Sequence, residues 1–143
     1  DAMAPDVAHA IPHLARGPAV QVDFDATVSQ RPFALALLRE LRSALPSPSY
    51  LSVTALASTC FDGGAAALDA DEVVPMLFRM GVEGAPLRRR VERHGLPPPC
   101  DRALGLSTDE PWVPLPRGVR LYLFAPRAWD AALVAQALQE TPR

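Results

Sequence analysis

A chain of 143 residues, 49% hydrophobic and 21% charged, has the balance of a soluble domain with an apolar core, not of a disordered or fibrous chain. Its net charge of −2 argues against a general nucleic-acid surface, which needs a clustered positive field. No apolar run nears the roughly 20 residues of a membrane helix, and the start, Asp1-Ala2-Met3-Ala4-Pro5-Asp6, lacks the basic and apolar stretches of a signal peptide. The compartment stays open, since a signal upstream of Asp1 would make the protein an exported one.

Residues 7–16 predict a helix capped by Asp6, with Val7, Ala10, Ile11 and Leu14 on one face, a kink at Pro12 and an end at Gly17. His9 and His13 stand at i and i+4, a metal-holding spacing, but Pro12 lies between them and no third ligand is evident, so no metal or other cofactor is expected. A strand follows over 19–24. The next helix starts at an N-cap Ser29 with Pro32 in its first turn, carries Phe33, Leu37, Leu38, Leu41 and Leu45, and is stopped by Pro46 and Pro48.

Residues 51–58 predict a second strand, followed by a loop and a short Ala-rich turn to Leu68. The third strand, 73–80, contains Pro75, which an interior strand tolerates poorly, so a bulge or irregular start is expected there. A helix over 86–94 ends at Gly95, and its Arg88, Arg89, Arg90 and Arg93 read as a solvated face. Residues 103–107 and 119–124 give two more strands, and 127–140 a closing helix with Trp129 on its apolar side. Cys60 and Cys100 suffice for one disulfide or two buried thiols. Thiols are favoured, because Cys60 follows a strand and Cys100 precedes one, which sets them at opposite ends.

Apolar strands alternating with amphipathic helices imply a parallel sheet, doubly wound or a barrel. After Asp25 the chain runs Ala26-Thr27-Val28-Ser29-Gln30, without the Gly-rich turn of a nucleotide-binding doubly wound domain. The carboxylates stand instead at the C-terminal ends of strands, where barrels build their sites. The expected fold is a parallel (β/α) barrel-type sheet. With five strands against the eight of a complete barrel of about 250 residues, residues 1–143 read as a single domain or barrel fragment, strands four to eight. Upstream sequence or self-association would supply the missing strands.

Val22-Asp23-Phe24-Asp25, Leu51-Ser52-Val53-Thr54-Ala55-Leu56 and Asp71-Glu72-Val73-Val74-Pro75-Met76-Leu77-Phe78-Arg79-Met80 resemble strands four, five and six of chitinase-type glycoside hydrolase barrels. They are more closely similar to an uncharacterised bacterial family of barrel proteins. Ser107-Thr108-Asp109-Glu110-Pro111 and Phe124-Ala125-Pro126-Arg127-Ala128-Trp129 extend that resemblance across 19–129. Two departures stand out. Thr27 occupies the position of the chitinase general acid, and Met76-Leu77-Phe78-Arg79 replaces a motif ending in Tyr-Asp.

Strand alternation puts Gln21, Asp23 and Asp25 on one face, where inward carboxylates are costly to desolvate unless paired. They either form a site or merely bond to loop amides and Arg79. Many barrel glycosidases carry one carboxylate at the end of the fourth strand and one at the end of the seventh, since cleavage needs an acid and a nucleophile or base. Asp25 and Glu110 are the catalytic candidates. Asp23, Arg79 and Trp112 are the substrate-binding candidates, with Thr54 and Ser58 as inward polar fillers. Cys60 has no neighbouring His to make it a nucleophile. The leading expectation is a glycoside-hydrolase-like, carbohydrate-active protein. The alternatives are a non-catalytic carbohydrate- or ligand-binding barrel that has lost the acid, and a metal-dependent sugar-nucleotide transferase using Asp23-Phe24-Asp25.

Overall fold

Long connections join each strand to the next, which permits parallel pairing, and in the computed structural model all the paired strands are parallel. It describes residues 3–14, 17–114 and 117–141, without the side chains of 12–14. The elements are α1 (Ala4–Leu14), β1 (Ala19–Val22), α2 (Arg31–Ala44), β2 (Tyr50–Leu56), β3 (Glu72–Met76), α3 (Gly84–His94), β4 (Ala103–Ser107), β5 (Arg120–Phe124) and α4 (Ala131–Glu140). The strands lie in the spatial order β1-β2-β3-β4-β5, all parallel. A doubly wound sheet reverses its order at a switch point; this one never does. It curls so far that Glu72 of β3 touches Arg120 and Tyr122 of β5 across β4.

The outer face is the apolar one. Leu51, Val53 and Ala55 of β2 and Val73 of β3 pack with Leu37, Leu38 and Leu41 of α2 and with Ala4 and Ala8 of α1. Leu77, Leu104 and Leu106 pack with Val91 of α3 and with Leu121 and Leu123 of β5. The intervening positions face inward: Gln21, Ser52, Thr54, Glu72, Met76, Gly105 and Tyr122 follow from the register. A Cβ at Gly105 would stand 2.6 Å from the Met76 sulfur that lies over it, so any larger residue there would force Met76 to shift.

Pro75 is accommodated without a bulge. It is buried within β3 and pairs with Ala55 of β2 in unbroken register. The Leu77 N–H points to β4, bonding Gly105 O at 2.9 Å, so the missing N–H of Pro75, two residues earlier, falls on the same side. There the ladder is reduced to Met76 and Gly105.

Several expectations need correction. Asp6 lies within the first turn of α1 instead of capping it, and the helix runs on through Pro12 to Leu14; the foreseen end of that helix at 15–16 and the His13 side chain lie outside the described residues. Among the described residues no group of three metal-ligating side chains occurs. The closing helix starts at Ala131, where the Asp130 carboxylate accepts the Leu133 N–H at 2.8 Å. Trp129 therefore precedes the helix and is 44% exposed. Cys60 and Cys100 form a disulfide, with Cα atoms 6.0 Å apart, and are not free thiols. The cause lies in the β2–β3 connection, which has no α-helix and only 3-10 turns at Ala57–Cys60 and Gly64–Ala67. The first turn carries Cys60 into the cluster of Leu51 and Val73, where Cys100 is also buried.

Candidate functional site

The C-terminal ends of the strands form one rim, and the inward alternation read for β1 holds there for Gln21 and Asp23. Gln21 Nε2 donates to Ser52 Oγ at 3.0 Å, and Thr54 Oγ1 donates to Asp23 Oδ1 at 2.8 Å while accepting from the Phe24 N–H at 3.1 Å. Thr54 thus fixes Asp23 from the next strand. Asp25, two residues on, has no hydrogen bond among the described residues. Partial burial of its carboxyl, and then the charge of Asp23, raise its pKa above the ordinary aspartate range. A carboxyl so placed keeps its proton to higher pH, as a proton donor requires.

Thr27, at the position of the chitinase acid, is occupied with its own turn. Its N–H and hydroxyl both donate to Gln30 Oε1, at 3.0 and 2.9 Å.

At the end of β3, Arg79 adopts φ +53°, a left-handed conformation disfavoured for any side chain but glycine. Such strain persists where surrounding contacts impose it, often at functional sites. The contact here is Glu110, whose Oε1 accepts the Arg79 N–H at 2.8 Å. The other oxygen of Glu110 pairs with Arg88 of α3. Glu110 is therefore a half-buried, ion-paired carboxylate. The Arg79 guanidinium is exposed and makes no ion pair among the described residues, Asp25 included. With Met80, Arg88 and Glu110 it walls an open cavity of about 460 Å³.

Trp112 donates its indole N–H to Ser107 O at 2.9 Å and packs against the apolar cluster of α3, β4 and β5. Its ring is half-buried. Ser107 also bonds to Asp109.

The structure gathers Asp23, Asp25 and Thr54 at one part of the rim and Arg79, Arg88 and Glu110 at another. Asp25 and Glu110 stand at the same end of the sheet but follow β1 and β4, three strand spacings or about 14 Å apart before curl and side-chain reach are counted. Glycosidase carboxyl pairs are separated by about 5–9.5 Å. Comparison of the chain with family models, curated proteins and solved structures finds no match. The chitinase-type resemblance rests on the quoted segments alone.

Sequence reading passed over two groups. Arg88, taken as part of a solvated helix face, holds Glu110 and also reaches Leu77 O. Glu72, quoted only as part of a strand, is buried on the inner face, where it accepts from Ser52 at 3.0 Å, Tyr122 at 2.6 Å and Arg120 at 2.9 Å. The signal was there: Glu72 opens a strand otherwise apolar, and Arg120 and Tyr122 alternate on another.

Proposed function

We propose that this is a glycoside-hydrolase-like barrel protein that binds carbohydrate at the C-terminal rim of its sheet. Asp25 is the proton donor and Glu110 the second carboxylate. Asp23, Arg79 and Trp112 contribute to binding, Trp112 through the exposed part of its ring. The observation that carries the reading is Asp23, held by Thr54, with Asp25 beside it at the C-terminal end of a singly wound, curled parallel sheet, the end where barrel enzymes place their chemistry.

Partial burial and the charge of Asp23 favour the protonated form of Asp25, while Glu110 is held in an ion pair with Arg88. An acid protonating the glycosidic oxygen and an anion opposing the oxocarbenium charge are the two parts of glycoside cleavage. The disulfide accords with an oxidising compartment, where extracellular glycans are met.

A second reading, a binding barrel without catalysis, is favoured by the engagement of both Glu110 oxygens and by Thr27 at the acid position. Hydrolysis of a panel of aryl glycosides and oligosaccharides, measured alongside calorimetric binding, separates the two. The enzyme reading expects Asp25→Asn to lower kcat by about 10²-fold or more with binding retained. Binding without hydrolysis in the wild type selects the binding barrel. Absence of both overturns the carbohydrate assignment.

A further inference from the structure

The face of the sheet opposite Asp23 holds a second cavity. Val22 and Phe24 of the β1 segment point away from Asp23, and with Leu38, Val53 and Ala55 they enclose an apolar pocket of about 90 Å³ between the sheet and α2. Its origin is the crossover between β2 and β3. Two 3-10 turns replace the helix that would pack beside α2, and they leave a gap roofed by Gly64, Ala67 and Leu68. An enclosed apolar cavity of roughly 150 Å³ stays dry and admits benzene. A smaller pocket open at its mouth takes one ring or a branched alkyl group while the rest of the ligand stays outside.

The mouth carries one charged side chain, Arg31, whose guanidinium lies against Gly64 so closely that a Cβ there would stand 3.1 Å from its central carbon. Asp62 engages one terminal nitrogen of Arg31. The Nε–H is buried and has no acceptor among the described residues. An unmade bond to a buried charged donor is costly, and an acceptor carried by a ligand in the mouth would relieve it. The guanidinium fork suits a carboxylate.

We propose that this pocket binds a small carboxylic acid with an apolar body, the body between α2 and β2 and the carboxylate on Arg31 Nε. The pocket opens on the other face of β1 and β2 from Asp23, with Thr54 bordering both.

Benzoate and toluene are the probes, titrated into the ¹⁵N-labelled full chain while the amides of Ala34, Leu38 and Ala55 are followed by NMR. Benzoate is expected to shift these amides and to bind at least about tenfold more tightly than toluene, one charge-assisted hydrogen bond being worth that factor or more. Arg31→Met should remove the preference. Ala67→Phe, at an exposed position of the mouth, should abolish binding of both while leaving the spectrum dispersed. If Arg31→Met fails to fold, the benzoate to toluene ratio in the wild type still reads the role of Arg31. No shifts at millimolar benzoate, equal affinities for the two probes, or benzoate binding unchanged in Ala67→Phe would each overturn the proposal.

Discussion

Replacing both Cys60 and Cys100 by Ala tests how much of the fold depends on the covalent link. Alanine is the right substitute, because both positions are buried and a serine hydroxyl there would need a partner. The bond joins residues 40 apart, and the chain-entropy relation gives about 4 kcal/mol for a loop of that length. Against a typical total of about 5–15 kcal/mol, that is a large share. Urea unfolding of the oxidised wild type and the double variant should show a loss of about 4 kcal/mol. Hydrogen exchange should show the largest loss of protection in 57–70, where no α-helix anchors the connection. A loss under about 1 kcal/mol, or free thiols by mass spectrometry of the unreduced protein, would refute the reasoning, because either result means the bond does not constrain the unfolded chain.

Other perturbations probe the inner face and the rim. The pKa of Asp25 is raised in the folded state by burial and by Asp23, so the fold favours its protonated form and ionisation costs stability above the unfolded value. Asp25→Asn should therefore raise the thermal midpoint at pH 7 and give no gain at pH 3; an equal gain at both would remove the charge from the account. Glu72→Ala should cost about 2 kcal/mol in chemical denaturation, by leaving the Ser52 hydroxyl and the Tyr122 phenol without their shared acceptor. A change under about 0.5 kcal/mol would mean that water replaces the carboxylate freely. Gly105→Ala should cost about 1–2 kcal/mol, because the added Cβ displaces the Met76 sulfur. Met76→Val should recover part of that in the double variant, and purely additive losses would rule out the steric cause.

The elements were legible where local signals agreed with the burial pattern. The strand at Ala103–Ser107 has the bounds read from its apolar run, and Pro32 stands in the first turn of α2 as its fixed φ implies. Asp23 was legible as an inward carboxylate because strand period alone decides which face it takes. Departures arose where a distant partner overrode the local pattern. Pro75 read as an interruption, since the sequence does not show that its N–H side meets only one paired residue of β4. The cysteines read as separated because a strand was taken to carry the chain away from its start, whereas the turn at Ala57–Cys60 folds it back. Trp129 read as helical until Asp130 proved the better cap. Arg88 read as solvent-facing because its carboxylate partner lies 22 residues away.

The sparse ladder between β3 and β4 has a mechanical meaning. Main-chain hydrogen bonds carry β1, β2 and β3 as one plate and β4 and β5 as another, while one residue pair spans the line between them. What crosses that line is mostly side chains: Glu72 to Arg120 and Tyr122 inside the curl, Arg88 to Glu110 at the rim, and the Cys60 to Cys100 bond beneath. One of those three fastenings, the disulfide, responds to reductants. The protein is thus a sheet with a covalent latch along one line, and a reducing solution should part the plates there before either plate melts.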